Sequence, residues 1–327
     1  MKTFIACAVT VILAAASASA QQVADSAYHY SGPEVAYPAG TGLQVCVDAG
    51  HHNFHTIDGR YLAFANLLRD DGYRVRSHTT EFSAETLSDC EIVVISSATA
   101  EVNEEDWAYP HASAFSADEI SSLIDWVRSG GSLLLIADHS PWPGSNADLG
   151  VLLGAHMLDG YVELQAFGPL EDEALREAAA MFEVPEEDLR AGIDRTGSFG
   201  EHVILRGRNP QESVTALMTF GGHAFYPARD MEPLLILGPD ARSGAPLTRN
   251  LPDAQQETPV YSVGGWLHGG ARRVGQGRAV VLGEAAMCTA QLAGPQRVPM
   301  GMNNPIAPQN AQFCLNVVHW LSGLLDD

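Results

Sequence analysis

Leu43-Gln-Val-Cys-Val-Asp-Ala49 is an apolar run with β-branched residues that closes on an aspartate, and the residues that follow, Gly50-His-His-Asn-Phe-His-Thr56, carry three histidines. A run of this length with no sustained polar alternation has no side for water, so it reads as a strand buried on both faces. Residues 57–71 then place Tyr61, Phe64, Leu67 and Leu68 on one helical face, and Gly72 ends that helix. "YRVRSHT" (73–79) and "EIVVISS" (91–97) read as further strands. Residues 117–128 predict a helix with Ser116 as N-cap and Glu119 three positions on, the spacing of a capping box. "SLLLIAD" (132–138) is another buried strand.

Strands and helices alternating in this way predict an α/β fold with a doubly wound, mostly parallel, flavodoxin-like sheet. Residues 168–200 interrupt the rhythm and read as an acidic helical insertion. Strands resume with "HVILRG" (202–207), "ALMTF" (216–220) and "PLLILG" (233–238). Pro259 to Ala285 predicts a β-hairpin extension with a Gly-rich connection, then a last buried strand, and residues 308–324 predict a closing helix with Phe313, Val317, Trp320 and Leu321 inward. Residues 42–327 are taken as a single domain, preceded by a polar arm over 21–41.

The first twenty residues have the pattern of a secretory signal: Lys2, an apolar core over 4–16, and Ala18-Ser19-Ala20 before the expected cleavage point. The mature chain is therefore expected in the periplasm or outside the cell, with no membrane insertion. The formal charge is −22 and the sole lysine is Lys2, so neither a Schiff-base lysine nor a phosphate-loop lysine is available after cleavage. An acidic field of this size also argues against nucleic acid as a partner. Of the cysteines beyond the leader, Cys46 reads as a buried core thiol, whereas Cys288 and Cys314 flank a Pro- and Asn-rich loop that a disulfide between them would close.

Ligands of open parallel sheets bind outside the carboxyl ends of the strands. The polar residues directly after each apolar run are Asp48, His51, His52, Asn53 and His55; Asp138, His139 and Ser140; and Glu284. Two chemistries follow. In one, Asp48, His51 and His55, with Asp138 or Glu284, ligate a divalent metal that activates water. The bland counterpart is that Asp48 caps the next turn while His51 and His55 pack against Tyr61 or Trp142. In the other, Asp138, His139 and Glu284 form a metal-free acid/base site. Ser140 precedes a proline and is no nucleophile elbow. His52, Asn53, Trp142, His223, Asn303 and Asn304 are candidate binding residues, the two asparagines because an amide-rich loop suits a sugar. The same asparagines equally suit turn caps.

"VDAGHHNFHTIDGRYLAFANLLRDDGYRV", "GGSLLLIADHSPWPG", "GRAVVLGEAAM" and "GMNNPIAPQNAQFCLNVVHWLSG" resemble an exported bacterial family to which no reaction is assigned. That family is placed with the class I glutamine amidotransferase-like fold and is similar in outline to the trehalose-utilisation ThuA-like proteins. The resemblance implies the fold and the place of the site. It does not imply glutamine hydrolysis, because Ala137-Asp138-His139-Ser140-Pro141 stands where amidotransferases carry a Gly-x-Cys-x-Gly elbow, and no His-x-Glu follows. The expected function is hydrolysis of a small polar or carbohydrate-derived substrate, with or without a metal. The alternative is a non-catalytic module that binds a glycan or a protein.

Overall fold

Val45 and Val47 face one hydrophobic core while Cys46 between them faces the other, so the first strand, β1 (Gln44–Asp48), separates two layers of helices. The structure, a computed structural model, describes residues 22–107, 109–193, 197–245 and 258–326; the expected leader over 1–20 lies outside them. After β1 come helix α1 (Leu62–Asp70), strands β2 (Arg74–His78) and β3 (Ile92–Ser96), helix α2 (Ala117–Arg128) and strand β4 (Ser132–Ile136). Further along are β5 (Leu267–Val274), β6 (Gly277–Leu282) and helix α3 (Asn310–Leu321).

The strands β2-β1-β3-β4-β6 lie side by side and pair in parallel, with Val94 and Val280 both opposite Leu134. The chain winds outward from β1 to β2, then crosses back to β3 on its other side. Beyond β6 the sheet turns antiparallel through β5, Phe225–Pro227 and Ala155–Met157. The fold is thus mixed α/β around a central, mostly parallel sheet. Helices α1 and α3 cover one face and α2 the other, and each fully buried Leu, Ile or Phe contributes roughly 1.5–3 kcal/mol.

Local signals explain the helix ends. Ser116 Oγ accepts from Glu119 N–H at 3.3 Å and Glu119 Oε2 accepts from Ser116 N–H at 3.0 Å, the reciprocal pair that the sequence predicts. Helix α1 begins at Leu62, later than the pattern indicates, because residues 56–61 form turns. Gly72 ends it at φ +94°, where a Cβ would strike the Tyr37 carbonyl. That close approach shows the arm packed on the body: Ala36 N–H donates to Asp71 Oδ1 at 2.8 Å, and Val23–Ala24 pairs with Gln291 and Leu292.

Several expectations are corrected. Residues 203–206 are a short helix, not a strand; the His202 ring caps it by accepting from Ile204 N–H, and Val203–Leu205 bury in the core shared with α3. An apolar run this short fits either state. Leu217–Thr219 is a strand, but it pairs with Gln165–Phe167 outside the main sheet. Cys46 is not a free thiol: it is bonded to Cys90 with Cα atoms 5.8 Å apart. The expected Cys288–Cys314 bond is present, Cα atoms 5.9 Å apart. The acidic insertion holds helices Asp172–Met181 and Glu186–Ile193, which close a small core of their own with Met218 and Ile306. Among the described residues no helix is long and apolar enough to cross a membrane.

Candidate functional site

The parallel strands deliver their following residues to one edge of the sheet, and there the histidines after β1 part company. His51 bonds through Nδ1 to Asp48, 2.9 Å to Oδ1 and 3.0 Å to Oδ2, and through Nε2 to Glu119 Oε1 at 2.8 Å. Its ring stacks on Phe82 with centroids 4.8 Å apart. Burial alone would disfavour the charged ring, but the hydrogen bonds and charges of Asp48 and then Glu119 outweigh it and hold His51 above its ordinary value. Both nitrogens then donate, and no lone pair is left for a metal. Asn53 is equally committed, donating to Asp48 Oδ2 at 2.9 Å and accepting from His51 N–H at 3.1 Å. His52 stands at φ +45°, half exposed, with its ring 2.7 Å from Glu104.

His55 turns inward. Its ring lies 4.9 Å from that of Tyr61, the packing role that the bland reading assigned it, and burial drives its pKa down to about 3. The predicted metal set of Asp48, His51 and His55 is therefore not brought together. Among the described residues no group of three or more His, Cys, Asp or Glu side chains is arranged to hold a metal.

Asp138 and Glu284 do meet. Asp138 Oδ2 accepts from Ala285 N–H at 3.2 Å, which ties the end of β4 to the end of β6. Asp138 Oδ1 accepts from His139 N–H at 2.7 Å. Glu284, 1% exposed, accepts from Met287 N–H at 2.7 Å. Burial, and then the neighbouring Asp138 charge, push the Glu284 carboxyl well above the usual carboxylate range. His139 donates Nδ1–H to the Ser140 carbonyl at 2.8 Å, which turns Nε2 to the other side of the ring, 4.0 Å from Asp138 Oδ1. The His139 side chain is 26% exposed, which makes it the open side of the cluster. Trp142 and Tyr161 each stand with ring centroids 5.1 Å from it, and Trp107 stands 6.3 Å away.

Two more histidines back this edge. His223 Nδ1 donates to the Ala137 carbonyl at 2.9 Å and His268 Nδ1 donates to the His223 carbonyl at 2.7 Å. Both are completely buried, and burial lowers the pKa of each to about 4. Sequence reading missed His268 because β5 runs antiparallel and brings its beginning, not its end, to this edge. It missed Glu119 because a capping residue already has a local explanation. Tyr161 carried no strand-end signal at all.

Asn303 and Asn304 lie apart from the cluster's hydrogen bonds. Asn303 donates to Asp25 and Gln291; Asn304 donates to the Pro299 carbonyl and caps Ile306. Asn304 is a turn cap, as the bland reading had it, whereas Asn303 ties the N-terminal arm to Gln291. A shallow concavity of about 490 Å³ lies elsewhere, along α2 between Ile120, Ile124 and Leu152, and contains none of these polar groups.

No protein-family model matches the chain, and no curated protein sequence matches it. Solved structures do. The mmIFT52 N-terminal domain superposes with a TM-score of 0.51 at 14% identity, over 85% of this chain and 97% of that one, a likeness of fold alone. A putative ThuA-like protein from Bacteroides uniformis gives 0.45 at 10% identity, over 89% and 95%. The exo-β-1,4-mannosidase Op5Man5 from Opitutaceae bacterium strain TAV5 gives 0.38 at 13% identity, and the match spans 37% of that enzyme.

Proposed function

We propose that the protein is an exported acid/base hydrolase of a small polar or carbohydrate-derived substrate. Glu284, held protonated, supplies the proton to the leaving group. His139 Nε2 takes a proton from the attacking water, and the Asp138 carboxylate stabilises the imidazolium that results. The single observation that carries this proposal is the enclosure of Glu284 beside Asp138, a placement fixed by Ala285 N–H to Asp138 Oδ2: burial first, and then the Asp138 charge, keep the acid loaded.

An acid/base site is favoured over a metal-assisted one because His51, the central ligand of the metal reading, has both ring nitrogens committed to carboxylates. Thiolate chemistry is unsupported: the four cysteines of the described residues all stand in disulfides, which also accords with export. The order β2-β1-β3-β4-β6 supports a flavodoxin-like core with its switch point at the ends of β1 and β3.

The test is a hydrolysis screen over glycosides, esters and amides of small polyols, with Glu284→Gln and His139→Ala beside the wild type. Expected is a loss in kcat of at least about 100-fold in each variant with the melting temperature retained. Turnover unchanged in both variants would overturn the assignment.

A further inference from the structure

Six carboxyl side chains are buried among the described residues: Asp48, Asp71, Glu119, Asp138, Glu212 and Glu284. Four have a basic partner in contact. Asp48 and Glu119 share His51 at 2.9 and 2.8 Å, Asp71 meets His319 at 2.7 Å, and Glu212 meets Arg208 at 2.5 Å. Asp138 and Glu284 do not. The nearest basic atom to Asp138 is His139 Nε2 at 4.0 Å, and no ion pair reaches Glu284. A buried acid without a counter-charge is costly, and this chain avoids that cost at every other site.

The neighbouring histidines do not supply the charge. His223 and His55 both lie close enough to feel the charge of Asp138, and both are almost wholly enclosed, which keeps them neutral. His223 donates from Nδ1, so its buried Nε2 is a bare acceptor, and no protein group donates to it. His55 Nδ1 is likewise buried without a partner. Neither ring supplies Asp138 with a counter-charge. Trp107, Trp142 and Tyr161 pack around His139 beside Asp138, and aromatic rings attract a weakly hydrated cation.

We propose that this site takes a ligand bearing a protonated primary amine, whose ammonium group pairs with Asp138. The proposal deepens the hydrolase reading and rests on its placement of the ligand at Asp138 and Glu284. It does not rest on turnover. An anionic ligand is disfavoured by the same acids. An organic cation fits better than a metal because the aromatic rings offer it attraction, while among the described residues no three His, Cys, Asp or Glu side chains are grouped to hold a metal.

Methylammonium is the probe. The mature, disulfide-bonded protein is melted in methylammonium chloride and in sodium chloride of equal ionic strength, and the same probe is titrated calorimetrically in two buffers of different ionisation enthalpy. Expected is a higher melting temperature in methylammonium than in sodium and an affinity at least tenfold weaker in Asp138→Asn, with the same binding enthalpy in both buffers because the enclosed Glu284 keeps its proton. The comparison of methylammonium with sodium is read on the wild type, so it decides the matter even where Asp138→Asn fails to fold. Equal effects of methylammonium and sodium would overturn the proposal. So would a response that depends on Asp138 to zinc, manganese or calcium with none to methylammonium. Methylammonium binding without hydrolysis of any amine-bearing substrate would leave the cation site standing and remove the hydrolase. Hydrolysis of neutral substrates that requires Glu284, without methylammonium binding, would do the reverse.

Discussion

His51 donates through Nε2 to Glu119 Oε1 across 2.8 Å, which fastens the loop after β1 to the first turn of α2. Glu119 serves two structures at once, since its carboxylate also accepts from Ser116 N–H and Phe82 N–H. The most conspicuous histidine of the sequence is thus a structural tie.

Removing that tie strands two buried carboxylates. His51→Ala is expected to cost about 3–5 kcal/mol, the usual penalty for deleting one partner of a buried pair. Urea unfolding at pH 7 measures it. A loss below about 1 kcal/mol would mean that Asp48 and Glu119 find other partners.

Acid should weaken the fold through the enclosed histidines. In the unfolded chain His223 takes up a proton near 6.5, and in the folded protein at about 4. Between those values the unfolded state binds more protons, so stability falls as pH falls, by up to about 3 kcal/mol from this one group. His55 extends the loss to about pH 3. Glu284 acts with the opposite sign: its raised pKa makes stability fall as pH rises above the usual carboxylate range. Denaturant midpoints at pH 7 and 4.5 should therefore differ less in His223→Gln than in the wild type, and an unchanged difference would contradict the burial described.

Gly222 holds the cluster open. It stands at φ +110°, and a Cβ there would run into the Gly283 carbonyl and come within 2.8 Å of Glu284 Cβ and His268 Cε1. Gly222→Ala should displace Glu284 and cost about 1–3 kcal/mol from backbone strain alone. Melting and substrate turnover should fall together, and a stable, fully active variant would refute the crowding.

The parallel half of the sheet was legible because its strands are buried on both faces, so "SLLLI" and "IVVIS" have no other plausible place. Helix α2 was legible from the Ser116–Glu119 capping box and the apolar stripe of Ile120, Leu123, Ile124 and Val127. The strand-end rule also brought Asp138, His139 and Glu284 forward, and the structure does set them side by side. What could not be read was direction and competition. His268 belongs to a strand whose sense depends on a hairpin, His51 was claimed by an acid 68 residues away, and Cys46 by a cysteine outside its own strand. Such long-range partners leave no local periodicity.

The two disulfides should matter unequally to stability in proportion to the loops they close. Spans of 44 and 26 residues correspond to about 4 and about 3.5 kcal/mol of lost chain freedom in the unfolded state. Cys46→Ser/Cys90→Ser and Cys288→Ser/Cys314→Ser, each compared with the wild type by guanidinium unfolding, test this. A pair whose removal leaves the midpoint in place would show that its bond does not form.

The second of those bonds bears on the site in another way. The arch from Glu284 to Cys288 leaves β6 at one end and is riveted to α3 by Cys288–Cys314 at the other. Glu284 therefore rides on a segment clamped at both ends, and its carboxyl is already aimed before anything arrives. Little conformational entropy is left to surrender on binding, so affinity at this position is set by the chemistry of the visitor and hardly at all by rearrangement of the host.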